Sequence, residues 1–200
     1  MTKHSRPKVL TDDPCSDPEY VAIHEAAHAV VGFHFGFRPN NDFILSVPEA
    51  ECGGWKRMSV RSIKRYLIYF MSGRTAGSRL YGKRGSSLHD REHDYYVYDL
   101  AWQIFEDPQK TRRKLGVRYV RELCGLDEVR EAEVIYRCRT RDFEKAIVHI
   151  DRHWQMTRDL VGQPNVWCAI RELASVLVVK GTMDVNQVRA ALGLYSLPVG

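Results

Sequence analysis

Two hundred residues are enough for one folded domain with a real core. Apolar residues at 44% and charged residues at 28% exclude a disordered chain, and no apolar run reaches the ~20 residues that a membrane-spanning helix needs. The net charge of +5 attracts acidic partners. However, the basic clusters at Lys56-Arg57 with Arg61, Lys64 and Arg65, at 110–114, and at Arg137, Arg139 and Arg141 are scattered and lack interleaved aromatics, which argues against a nucleic-acid site.

In chain order, residues 1–18 are polar and carry Pro7, Pro14 and Pro18, so a flexible tail without the apolar core of a signal peptide is expected. Residues 19–200 then form a single domain, with a metal-bearing core at about 19–107 and a helical C-terminal part at about 117–195. The cysteines at 15, 52, 124, 138 and 168 contain no Cys-x-x-Cys pair, and their odd count fits a reducing, cytoplasmic compartment.

Val21, Ala22, Ala26, Ala29, Val30 and Phe33 recur at helical spacing, with Gly36 and Pro39 as stops, and predict a helix over about 19–35. A strand follows at 43–47, ended by Pro48, and the glycine-rich 52–56 reads as a second, irregular strand with accessible backbone. This is the one β signal in the chain. Helices are expected at 62–80, from 90 or 94 to 105, and at 118–123, 129–160, 166–179 and 185–192. The fold class is therefore mainly α, with a small β element near 43–58.

The first helix carries His24-Glu25-Ala26-Ala27-His28. Residues four apart lie on one helical face, so both imidazoles reach a single ion, and Glu25 beside them addresses a water on that ion. This is the geometry of a zinc peptidase. Zinc lowers the pKa of its water from ~15.7 toward ~7, and Glu25 is the general base that takes the proton. A catalytic zinc needs a third protein ligand. His34 has the right interval but lacks a glycine at 31, where Val31 stands. The segment from Leu88 to Asp94 offers His89, Asp90, Glu92, His93 and Asp94. Of these Asp94 has the better helical phase, because Val97, Tyr98, Ala101 and Phe105 follow on its face, while Asp90 shares much of it. Either aspartate also suits a helix N-cap. His149 and His153, four apart, lack an acid at motif spacing and read as surface or packing groups.

The run from Val21 to Gly32 closely resembles the zinc helix of FtsH-type metallopeptidases, the proteolytic half of membrane AAA+ proteases. Gly73-Arg74-Thr75-Ala76, ending at Leu80-Tyr81-Gly82, is similar to that family's Gly-Arg-x-Ala…Gly segment. The resemblance implies a zincin-like helical peptidase domain and a ligand set of two His and one Asp: His24, His28 and Asp94 or, less well, Asp90. It also implies that 44–56 is a substrate-binding edge where an extended peptide pairs with backbone. The chain departs from the family at Gly77 and Ser78, where two acids usually stand. It also carries no Gly-x-x-x-x-Gly-Lys-Ser/Thr phosphate loop, so it has no ATPase module of its own.

Together these features predict an ATP-independent zinc metalloendopeptidase acting on accessible or unfolded polypeptide, or on substrate delivered by a separate ATPase or adaptor. A homo-oligomer is compatible with the sequence. The rival expectation is a non-catalytic zinc-binding regulatory module that keeps the scaffold, and retention of Glu25 speaks against it.

Overall fold

The computed structural model describes residues 17–48, 51–55, 63–81 and 143–193. Among them are α1 (Pro18–His34), β1 (Pro39–Ser46), β2 (Glu51–Trp55), α2 (Ile63–Tyr81), α3 (Phe143–Gly162), α4 (Pro164–Lys180), β3 (Thr182–Asp184) and α5 (Val185–Leu192). The protein is mainly α. The helices expected at 90–105 and 118–123 and the first part of 129–160 lie outside the described residues, as do Asp90 and Asp94.

The tail expected over 1–18 gives up its last two residues to α1. Asp17 is the N-cap, accepting from the Glu19 backbone N–H at 2.9 Å, and Pro18 opens the first turn, where its missing N–H costs nothing. At the other end Gly36 stands at φ +71°, Gly36 N–H donates to Phe33 O and Phe37 N–H to Gly32 O. That paired closure needs a left-handed residue, which glycine supplies without strain.

Between these caps α1 is buried from Tyr20 through Gly32 except at His24. Ala22, Ala26, Ala27 and Ala29 are wholly covered, and such short side chains let neighbouring backbones approach closely. α1 packs against both α2 and α4. One continuous core joins Val30 and Val31 of α1, Leu45 of β1, Ile68 and Phe70 of α2, Val161 of α3, Ile170, Leu173 and Leu177 of α4, Met183 of β3 and Val188 of α5.

The β element is larger than the small one expected near 43–58. It is a three-stranded antiparallel sheet in the order β2-β1-β3, with β1 starting at Pro39 and an irregularity between Pro39 and Ile44. β3 pairs Leu45 with Met183 across the whole described chain. Three residues between two helices are too few for an alternation pattern, so this strand leaves no periodic mark. It forms because Gly181, at φ +74°, ends α4 and turns the chain beside β1. Asp184 then caps α5 in a reciprocal box with Gln187.

Among the described residues no helix is long and apolar enough to cross a membrane.

Candidate metal centre

His24 and His28 lie one turn apart on α1, and their Nε2 atoms converge to 3.1 Å, with ring centroids 4.8 Å apart. Two imidazole nitrogens at ~2.0–2.1 Å from one tetrahedral zinc would stand about 3.3 Å apart, so the pair is spaced as such an ion requires.

The tautomer of His28 also fits. Its Nδ1 lies 2.8 Å from the Tyr69 carbonyl oxygen. A carbonyl only accepts, so Nδ1 carries the proton and Nε2 keeps its lone pair toward His24. Ser72 reinforces this arrangement, because its hydroxyl donates to the same Tyr69 oxygen at 2.6 Å and stands 3.4 Å from His28 Nδ1. A backbone carbonyl on the far nitrogen is the usual support of a metal-binding histidine.

His28 is 3% exposed and Glu25 5% exposed, both within an otherwise apolar helix. Burying such groups is costly unless they are engaged. Glu25 and His28, three apart, share a face. Two imidazoles, one with its tautomer fixed, are donors that suit a zinc ion.

α2 supplies the other wall. A β-carbon on Gly73 would stand 2.5 Å from His24 Nε2 and from its Cδ2, and one on Gly77 would stand 2.5 Å from the Tyr20 ring. Tyr20 and His24 are one turn apart on α1, as Gly73 and Gly77 are on α2, so two rings seat on two glycines. The Tyr20 ring thus fills the space that a side chain at position 77 would need.

His34 does not join this pair. α1 runs unbroken to His34, and six residues of helix carry a side chain about 120° round from His28. His34 packs against Phe35, and its Nδ1 is buried without a hydrogen-bond partner. Burial first and the Arg65 charge second lower its pKa below the usual 6.5. His153 is buried in α3, where its carbonyl accepts from Thr157, in keeping with a packing role.

Among the described residues no group of three or more His, Cys, Asp or Glu side chains gathers around one point. The structure thus brings His24 and His28 together, with Glu25 buried in the same turn of α1, and the third ligand expected from Asp94 falls outside the described residues. Sequence reasoning missed Tyr69 and Ser72. Neither has a motif, because the group that holds His28 is a backbone carbonyl, which every residue possesses. Gly73 carried a signal through the Gly-Arg-x-Ala resemblance, but its use as a seat for His24 becomes visible only in the packed pair of helices.

No protein-family model matches the chain, and no curated protein matches it.

Proposed function

We propose that this chain is a zinc-dependent metalloendopeptidase with a zincin-like domain of the FtsH-peptidase kind, held by His24, His28 and Asp94. The observation that carries the reading is the convergence of the two Nε2 atoms at 3.1 Å, with His28 held by Tyr69 in the tautomer that leaves Nε2 unprotonated. Bound zinc would supply a water of pKa near 7 and polarisation of the scissile carbonyl. Glu25, one residue from His24 and buried beside His28, accepts the proton of the attacking water and returns it to the leaving nitrogen. The Tyr69 carbonyl and Ser72 keep the His28 ring from turning while this occurs. Gly73 leaves the room in which His24 faces its partner.

The substrate is polypeptide that is already extended, or that an ATPase or adaptor presents. The outer edge of β2 is its docking site. A reducing, cytoplasmic setting goes with this reading; among the described residues Cys52 and Cys168 form no disulfide.

The test is zinc content and casein cleavage by the purified protein beside Glu25→Gln. Zinc bound in both, with activity lower by about 10²- to 10⁴-fold in Glu25→Gln, is the expected result. Bound zinc with equal cleavage by both proteins removes Glu25 from the chemistry. Bound zinc with no cleavage by either leaves the non-catalytic module.

A further inference from the structure

The helices α1 and α2 meet turn by turn in opposite order. Tyr20, His24 and His28 stand on successive turns of α1, and Gly77, Gly73 and Tyr69 on successive turns of α2. Tyr20 lies against Gly77, His24 against Gly73, and His28 against Tyr69, whose carbonyl holds it at 2.8 Å. The three α1 rings form a row, with centroids 6.1 Å apart from Tyr20 to His24 and 4.8 Å apart from His24 to His28.

The two imidazoles differ in exposure. His28 is 3% exposed, and its ring is fixed through Nδ1. His24 is the single partly exposed residue between Tyr20 and Gly32. An imidazole turns about χ1 and χ2, and a rotamer that faces solvent would carry its Nε2 away from His28. Three groups wall the observed position: the Gly73 backbone, the His28 ring one turn toward the C-terminus and the Tyr20 ring one turn toward the N-terminus.

Tyr20 is itself locked. It is 7% exposed, and its phenol end occupies the space of a side chain at 77, since a β-carbon there would stand 2.5 Å from Cε2 and 2.9 Å from Cζ. A ring packed so closely against backbone is a fixed wall for its neighbour. Its separation from His24 and the 43° tilt between the two planes are those of a packed ring pair.

We propose that Tyr20 is a positioning residue whose ring, seated on Gly77, holds the His24 imidazole in line with His28. The proposal rests on the zinc centre proposed above. It assigns the work to the ring, so the hydroxyl is dispensable.

The test compares Tyr20→Phe, Tyr20→Ala and Gly77→Ala with the wild type in the full chain. Zinc affinity is measured by chelator competition, ligand geometry by the visible absorption of the cobalt(II)-loaded protein, and stability by the thermal midpoint of the metal-free protein. Tyr20→Phe keeps the ring and should bind zinc as the wild type does. Tyr20→Ala removes the wall, and Gly77→Ala displaces it while the tyrosine stays in the chain. Both should weaken zinc binding roughly 10-fold or more and move the cobalt bands.

Wild-type zinc affinity with an unmoved cobalt spectrum in those two variants overturns the proposal whatever their thermal midpoints, because Tyr20 would then only fill the core. An equal loss in Tyr20→Phe also overturns it, since the hydroxyl would then be acting. If Tyr20→Ala does not fold, Gly77→Ala decides. If the wild type binds neither metal, the zinc reading fails, and nuclear magnetic resonance of the His24 ring in the metal-free protein decides Tyr20. One set of ring resonances in the wild type with broadened or doubled ones in Gly77→Ala supports the proposal, and the same pattern in both overturns it.

Discussion

The position of one proton distinguishes His28 as a ligand from His28 as a packing group. Tyr69 O and Ser72 hold that proton on Nδ1, and the unprotonated Nε2 meets His24. His34, six residues on in the same helix, has the opposite fate. Its pKa is lowered by burial and then by Arg65, so the folded state disfavours its charged form. Its contribution to stability is complete above the unfolded value of about 6.5 and is lost as the pH falls through the lower folded value. His34→Gln should therefore flatten the acid side of the stability profile. Urea midpoints at about pH 7.5 and about pH 5 should differ less in the variant than in the wild type, and parallel profiles would show that His34 does not titrate with folding. The spacing of His24, Glu25 and His28 was legible in the sequence because a helix turns a spacing of four into a shared face. The tautomer was not, since it is set by a carbonyl 41 positions away.

At the scale of elements, the crossing of α1 and α2 shapes the centre. His24 rests on Gly73 and Tyr20 on Gly77, each closer than any β-carbon permits. Gly73→Ala must therefore push the His24 imidazole off its line toward His28, since the atoms met include Nε2 itself. We expect zinc affinity to fall by on the order of 10- to 100-fold, the range seen when a ligand's support is lost, with helical content retained. Chelator competition followed by far-UV dichroism measures both, and undiminished zinc affinity would count against the assigned geometry. Gly77 read from the sequence as a departure from the FtsH pattern. The packing gives it a physical reason: any side chain at 77, an acid included, would require Tyr20 to move.

Across the whole molecule, the C-terminal residues complete the core around the candidate centre. Ile170, Leu173 and Leu177 of α4 join the core cluster that holds Val30 and Val31, and Met183 brings β3 against Leu45. Arg79 adds a polar tie, donating to Val161 O at 2.7 Å with its guanidinium 4.6 Å from the Trp167 ring centroid. Leu173, 1% exposed, is the most direct probe of this unity. Leu173→Ala should cost about 2–5 kcal/mol and leave a single unfolding transition in which dichroism and tryptophan fluorescence coincide. Two separated transitions would mean that α4 and α1 do not share one cooperative core.

The sequence by itself determined α1 with its three chemical residues, the approximate limits of α2, α4 and α5, and the first two strands, because periodicity, caps and breakers act within a few residues of one another. The tertiary structure alone decided that β3 completes the sheet, that Gly73 seats His24, that Tyr69 fixes the His28 proton and bonds to Cys52, and that α4 covers α1. Each of those contacts joins residues 17 or more positions apart. Such contacts depend on which surfaces pack together once the helices have formed, and local spacing carries no record of that choice.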